Sequence, residues 1–188
     1  MMIMKNTLIV HGTNANHTSN WFPWLEKELA NHDYKVLVPD LPHSEPAHYN
    51  IPEYKKLIES TWEIDSNSVL IGHSGGAVVL LSILENLPKN VVVKKVIFVS
   101  GYTDDQGWPA LKDYFSQPHD WKKIRGHVKE FVLFHSDNDS YMSREHGMVS
   151  SRRLRAKLRI FPGCGHFNLE TDKKFKQFPE LLEEILHD

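Results

Sequence analysis

The chain has 188 residues, 40% of them hydrophobic, a size that suits one domain with its own core. Its 22 Lys+Arg against 24 Asp+Glu leave a formal net charge of -2, which argues against a nucleic-acid partner, since such binders show a basic excess. No apolar run approaches the ~18 residues of a membrane span, and the single cysteine, Cys164, excludes an internal disulfide.

The lone cysteine suits a reducing compartment. The start "MMIMKNTLIVHG" lacks the charged region and apolar core of a signal peptide. A soluble, cytoplasmic protein with no membrane partner is the expectation. The sequons at Asn16 and Asn138 then read as chance matches. The basic run "RRLRAKLR" (152–159) alternates with apolar residues and reads as a solvated helix face leading into a strand.

In chain order, six short β-branched-rich runs stand out: "TLIV" (7–10), "KVLVP" (35–39), "SVLIG" (68–72), "KVIFVS" (95–100), "EFVLF" (130–134) and "LRIFP" (158–162). Each is nearly continuous in apolar residues, the pattern of strands buried on both faces. Helical stretches lie between them. "WFPWLEKELANH" (21–32) gathers Trp21, Trp24, Leu25 and Leu29 near one face, and "IPEYKKLIESTW" (51–62) carries Pro52 near its first turn. "GGAVVLLSILENL" (75–87) is apolar nearly all round, as a helix against the centre of a sheet would be. "SREHGMVSSRRLR" (143–155) is interrupted by Gly147. A last helix is expected over 171–186, capped by Thr171 and kinked or interrupted at Pro179. The irregular stretch 101–129 is too short for a cap domain and reads as one or two short helices near the strand ends. The repeated alternation implies an α/β three-layer sandwich around a mainly parallel six-stranded sheet, spanning 1–188 as one domain.

The chemistry starts at "LIGHSGGAVV" (70–79). Its Gly-x-Ser-x-Gly match has a chance expectation of roughly 0.06 in a chain this long at ordinary Gly and Ser usage. Its setting is more specific than its pattern: a strand precedes it and a helix follows, as a nucleophile elbow requires. Such a turn projects the Ser74 hydroxyl from the carboxyl edge of the sheet. Gly72 and Gly76 leave room for the bend, and the helix amides face the place where negative charge would develop. The amide of Gly75 is the natural first oxyanion donor.

A serine nucleophile needs a base, and the base an orienting acid. The chain order for this elbow is Ser, then acid, then His. The fifth strand is followed by "HSDNDSYMS", which offers Asp137 and Asp139, and the sixth by "GCGHFNLE", which offers His166. Both loops fall on the sheet edge that carries Ser74, where open α/β sheets bind ligands. The loop after the first strand, "HGTNANHTSNW", supplies the amide of Thr13 as a second oxyanion donor. The cluster Trp21, Phe22 and Trp24 reads mostly as core, with room for one ring in a pocket wall.

Taken together, "HGTNANHTSNWFPWLEKEL", "LIGHSGGA", "VSGYTDD", "SDNDSYMS" and "GCGHF" resemble the small lidless serine hydrolases of the retinoblastoma-binding-protein type and their bacterial relatives, within the α/β-hydrolase superfamily. The likeness runs from about residue 7 to 186. It implies a catalytic triad of Ser74, Asp139 and His166, because the family's acid is the second of a paired "DD" that here reads Asn138-Asp139. Ser140 and Ser143 replace frequent prolines of that loop. The resemblance also implies the open sheet order 2-1-3-4-5-6 without a cap domain. It has "WPALKDYFSQPHDW" packing beside the active site, which makes Trp108, Tyr114, Phe115 and Tyr141 candidate pocket residues.

The expected activity is hydrolysis of a small-molecule ester, thioester or amide through an acyl-serine intermediate. No organic cofactor is needed, and the 12 histidines show no metal-ligand spacing such as His-Glu-x-x-His. The competing reading is a non-catalytic scaffold that binds a protein partner on the same fold. Thiol chemistry at Cys164 lacks any strand–helix elbow and reads as a small loop residue.

Overall fold

The computed structural model describes residues 5–187. Six strands, β1 (Lys5–Val10), β2 (Tyr34–Leu37), β3 (Ser68–His73), β4 (Val93–Val99), β5 (Val128–Ser136) and β6 (Lys157–Phe161), form one sheet in the order β2-β1-β3-β4-β5-β6. Every pairing is parallel. The helices are α1 (Phe22–Asn31), α2 (Ile51–Thr61), α3 (Gly76–Asn86), α4 (Pro109–Phe115), α5 (Trp121–Gly126), α6 (Arg144–Leu154) and α7 (Pro179–Leu186). The expected open sheet and strand order are therefore present, and the stretch after β4 folds as the two short helices α4 and α5.

The continuous apolar runs are explained by two-sided burial. Leu8, Val10, Leu70, Val96, Phe98 and Leu133 pack on one face with residues of α2, α3 and α5. Ile9, Val69, Ile71, Ile97, Val99, Val132 and Phe134 pack on the other with Phe22, Leu25 and Leu29 of α1 and Leu181 and Ile185 of α7. The residues from Gly76 to Leu84 of α3 are all buried, so this helix has no solvent face over that span. Its all-apolar sequence follows from that position.

The last helix departs from expectation. Thr171 does not cap it; its hydroxyl bonds to Asn168. Asp172 instead accepts from the Lys174 amide and starts a short 3-10 turn over Lys173–Lys176, and α7 begins only at Pro179. A proline in the first turn of a helix loses no hydrogen bond. The break before it lets Phe175 and Phe178 turn inward against Phe167. The far end of α7 is held at the amino edge of the sheet. There the buried Lys95 ammonium donates to the carbonyls of Glu184 and His187 at 2.8 and 3.0 Å and pairs with Glu130. The buried Glu184 carboxylate also meets Arg159 at 2.6 Å.

At the opposite, carboxyl edge, the buried imidazoles include His11 just after β1, His73 at the end of β3 and His135 within β5. The Leu41 amide donates to His11 Nε2 at 3.1 Å, so His11 carries its proton on Nδ1, facing the Gly12 carbonyl at 2.7 Å. His135 Nε2 donates to the Gly101 carbonyl. Burial pushes all three pKa values down, that of His73 to about 3.

Two outcomes follow for stability. A Cβ at Gly76 would run into the Val10 carbonyl oxygen, whereas one at Gly126 would meet open space. Gly76→Ala should cost about 3 kcal/mol by urea unfolding, and Gly126→Ala less than about 0.5 kcal/mol. Below about pH 6.5 the unfolded chain protonates histidines that the fold keeps neutral, so the stability they carry is full above that pH and declines as pH falls. For His73 the decline runs down to about pH 3. Urea midpoints taken from about pH 6 to pH 4 should show His73→Gln flattening the pH dependence by about 1.4 kcal/mol per pH unit.

Candidate active site

The turn after β3 is set by close packing. Ser74 has φ 53°, in the left-handed region that a non-glycine residue adopts only when its surroundings enforce it. Its amide donates to the Val99 carbonyl at 2.9 Å, which anchors the turn to β4. The flanking glycines permit the bend. A Cβ at Gly72 would stand 2.7 Å from the Ala77 backbone, and the collision at Gly76 is with β1. The result lifts Ser74 into a cavity of about 410 Å³ at the carboxyl edge of the sheet. Among the described residues Ser74 Oγ makes no hydrogen bond, and contacts of this kind often tighten only when substrate binds.

His166 lines the same cavity. Its Nδ1 lies 2.9 and 3.1 Å from the two oxygens of Asp139, whose side chain is wholly buried. Burial by itself would raise the Asp139 carboxyl. The hydrogen bonds from His166, from the Ser100 hydroxyl at 2.6 Å and from the Tyr141 amide at 2.9 Å outweigh it, so the pKa lies below the ordinary carboxylate value. The Met142 amide adds a further donor at 3.1 Å. An ionised carboxylate only accepts, so Nδ1 of His166 must carry a proton, and Nε2 is the nitrogen that can exchange one.

Of the two aspartates in this turn, Asp139 is the one that contacts His166. Asp137 turns away from the imidazole and accepts from the Gly163 amide at 2.8 Å. Asn138 accepts from the Gly165 amide at 2.8 Å and from the Ser136 hydroxyl at 2.7 Å. Ser136 Oγ in turn accepts from the Cys164 amide at 2.9 Å. Four consecutive side chains of "SDND" thus each hold one point of the loop that carries His166. Asn138 needs only its carbonyl oxygen for this, so the change from the family's aspartate leaves the loop's bonding intact.

The neighbours of the two expected oxyanion amides are committed elsewhere. The Ser74 amide is committed to Val99 and that of Asn14 to the Ser44 carbonyl at 3.0 Å. Among the described residues, the amides of Thr13 and Gly75 donate to no protein acceptor. Thr13 lines the cavity. Gly75 is the cap residue of α3, with the Tyr49 ring packed against it.

Of the four aromatic candidates, Trp108 and Tyr141 line the cavity. Tyr114 and Phe115 do not. Their rings pack against each other and against His119, edge-on or tilted, and Phe115 faces a separate shallow depression with Trp121 and Arg153. Helix α4 turns their rings onto its own neighbours rather than toward Ser74. Trp21 and Phe22 are core, as the sequence suggested. Cys164 is half-buried in the base loop, with Lys174 Nζ 3.6 Å from its sulfur. Sequence reasoning missed Ser100, Glu170 and the role of His73. Ser100 lies after a strand with φ 48° and could have been suspected only from the "VSG" junction; Glu170 lines the cavity and accepts from the Tyr141 hydroxyl at 3.2 Å.

Comparison with known proteins identifies the family of the chain. A family model described as serine hydrolase matches residues 7–186. The serine hydrolase RBBP9 of Rattus norvegicus is 29% identical over 173 residues, covering 90% of each chain. YdeN of Bacillus subtilis, named as a hydrolase, is 28% identical over 177 residues, covering 93% of this chain and 91% of its own. The crystal structure of the ydeN gene product superposes with a TM-score of 0.84 at 24% identity, over 96% of each chain. The Pyrococcus furiosus esterase PF2001 shares the fold at a TM-score of 0.64 and 15% identity, over 98% of this chain and 80% of its own. With its match over almost the whole chain, this protein belongs to the serine hydrolase family and is an α/β-hydrolase enzyme of the RBBP9 and YdeN type.

Proposed function

We propose that the enzyme hydrolyses a small ester, thioester or amide through an acyl-serine intermediate, with Ser74 as nucleophile, His166 as base and Asp139 as orienting acid. The observation that carries this reading is that His166, held by the buried Asp139, lines one cavity with a positive-φ serine. Ser74 Oγ attacks the substrate carbonyl as His166 Nε2 takes its proton. The developing oxyanion accepts from the unused amides of Thr13 and Gly75. The imidazolium protonates the leaving alcohol, thiol or amine as its bond to the carbonyl carbon breaks. Water then attacks the acyl-serine, gives its proton to His166, and releases the acid with Ser74 restored.

Asp139 acts by keeping the imidazole in its Nδ1–H tautomer and by stabilising the charge that forms on it. A cavity of about 410 Å³ favours a small substrate. Trp108 and Tyr141 supply apolar walls, and the ring of Tyr141 packs edge-on against His166 at 4.9 Å, which shields one side of the base from water.

A fluorophosphonate probe should label the wild-type protein and not Ser74→Ala. Labelling that survives this change places the nucleophile elsewhere and overturns the assignment. With p-nitrophenyl esters of increasing acyl length, turnover should be highest for short chains. On the best of these, Asp139→Asn should lower kcat on the order of 10⁴-fold. Asp137→Asn should change it by no more than about 3-fold, because asparagine keeps the acceptor for the Gly163 amide. Ser100→Ala removes one of four donors to Asp139 and should lower kcat about 10-fold with KM unchanged.

A further inference from the structure

We propose that His73, the residue before the nucleophile, is a positioning residue for the base: its Nε2–H holds the backbone carbonyl of His166 and so sets the imidazole relative to Ser74. This rests on the assignment of Ser74 and His166 given above.

The loop carrying His166 has little regular structure of its own. Gly165 and Phe167, on either side of the base, both lie in the left-handed region, at φ 53° each. Its conformation is therefore imposed by contacts from elsewhere. From the acid side, Asp137, Asn138 and Ser136 fix the amides of Gly163, Gly165 and Cys164. Those bonds place the loop against β5, and they say nothing about its distance from β3. From the other side, His73 Nε2 lies 2.9 Å from the His166 carbonyl oxygen, and Trp21 Nε1 donates to the next carbonyl, that of Phe167, at 3.0 Å. Among the described hydrogen bonds, that from His73 is the one that joins the elbow to the base loop.

The geometry fixes the chemistry of this contact. A carbonyl only accepts, so His73 carries its proton on Nε2. Its Nδ1 is buried without a partner. The ring is enclosed by Trp21 and Phe22, at 6.0 Å each, and by the His166 ring at 5.0 Å. Burial, with His166 as the next contribution, keeps His73 neutral down to about pH 3. The donor is thus present throughout the neutral range, and no second positive charge stands beside the imidazolium that forms on His166. A leucine or phenylalanine would fill the same apolar niche without an orphaned nitrogen. The presence of a buried imidazole here, with one nitrogen unsatisfied, is accounted for by the bond its other nitrogen makes.

The test compares His73→Asn, whose amide is too short to reach the carbonyl, with His73→Gln, whose amide nitrogen stands where Nε2 stood. His73→Asn should lower kcat and the rate of fluorophosphonate labelling about 30-fold with KM unchanged. It should also shift or broaden the downfield proton resonance of the His166 Nδ1–H. His73→Gln should recover both the rate and the resonance. Retention of wild-type kcat and resonance by His73→Asn overturns the proposal. So does equal impairment of the two variants when both melt as folded proteins. If the wild type itself resists the probe, the Ser74 assignment fails, and the inference about His73 stands or falls on the resonance alone: unchanged in His73→Asn, it is overturned.

Discussion

A carboxylate cannot be buried unless its lone pairs are occupied, and Asp139 is the group on which this constraint falls. Its side chain is fully enclosed, yet it remains ionised because four donors converge on it from three parts of the chain. Ser100 reaches it from the end of β4, the amides of Tyr141 and Met142 from its own turn, and His166 from the loop after β6. Removing water from such a group without these donors would cost several kcal/mol and would neutralise it. Satisfying that one charge puts a proton on Nδ1 of His166 and engages two amides of the acid turn and the hydroxyl of Ser100.

The same logic extends along "SDND". Polar side chains at the sheet edge bind backbone amides of the neighbouring loop, and so replace the ladder that the strands no longer supply. Asp137, Asn138 and Ser136 make the turn after β5 and the loop after β6 into a single unit. On the far side, the elbow is a second unit, fixed by the contact of Ser74 with Val99 and by the collision that excludes any side chain at Gly76. The proposed active site is the junction of these two units, and the hydrogen bond from His73 to the His166 carbonyl crosses it.

The strands were legible in the sequence because two-sided burial leaves an unmistakable run of apolar residues, and the elbow because a strand–Gly-x-Ser-x-Gly–helix order has few other uses. The order of acid and base followed from topology alone. The choice of Asp139 over Asp137 came from resemblance rather than from spacing, since both lie in one turn and only the direction of the side chain separates them. The start of α7 was misjudged because Thr171 carries a cap-forming side chain, whereas the residues after it form a separate 3-10 turn and burial of Phe175 and Phe178 delays the helix to Pro179. Tyr114 and Phe115 were misplaced for a related reason: sequence puts aromatic rings on a helix, but only packing says which way the helix faces. Ser100 and His73 act through contacts spanning 39 and 93 residues, which no local pattern encodes.

The complete enclosure of α3 has a bearing on how this scaffold diversifies. A helix with no outward face over Gly76–Leu84 offers no position where a substitution is cheap, and it starts two residues after Ser74, the proposed nucleophile. Change in substrate preference therefore has to arise elsewhere. The cavity is bounded largely by residues such as Asn14, Ser19, Trp108, Tyr141 and Glu170, none of which belongs to the sheet or to α3. Inheritance in such an architecture is divided: an unalterable spine preserves the reaction, while a permissive rim is at liberty to drift toward new molecules.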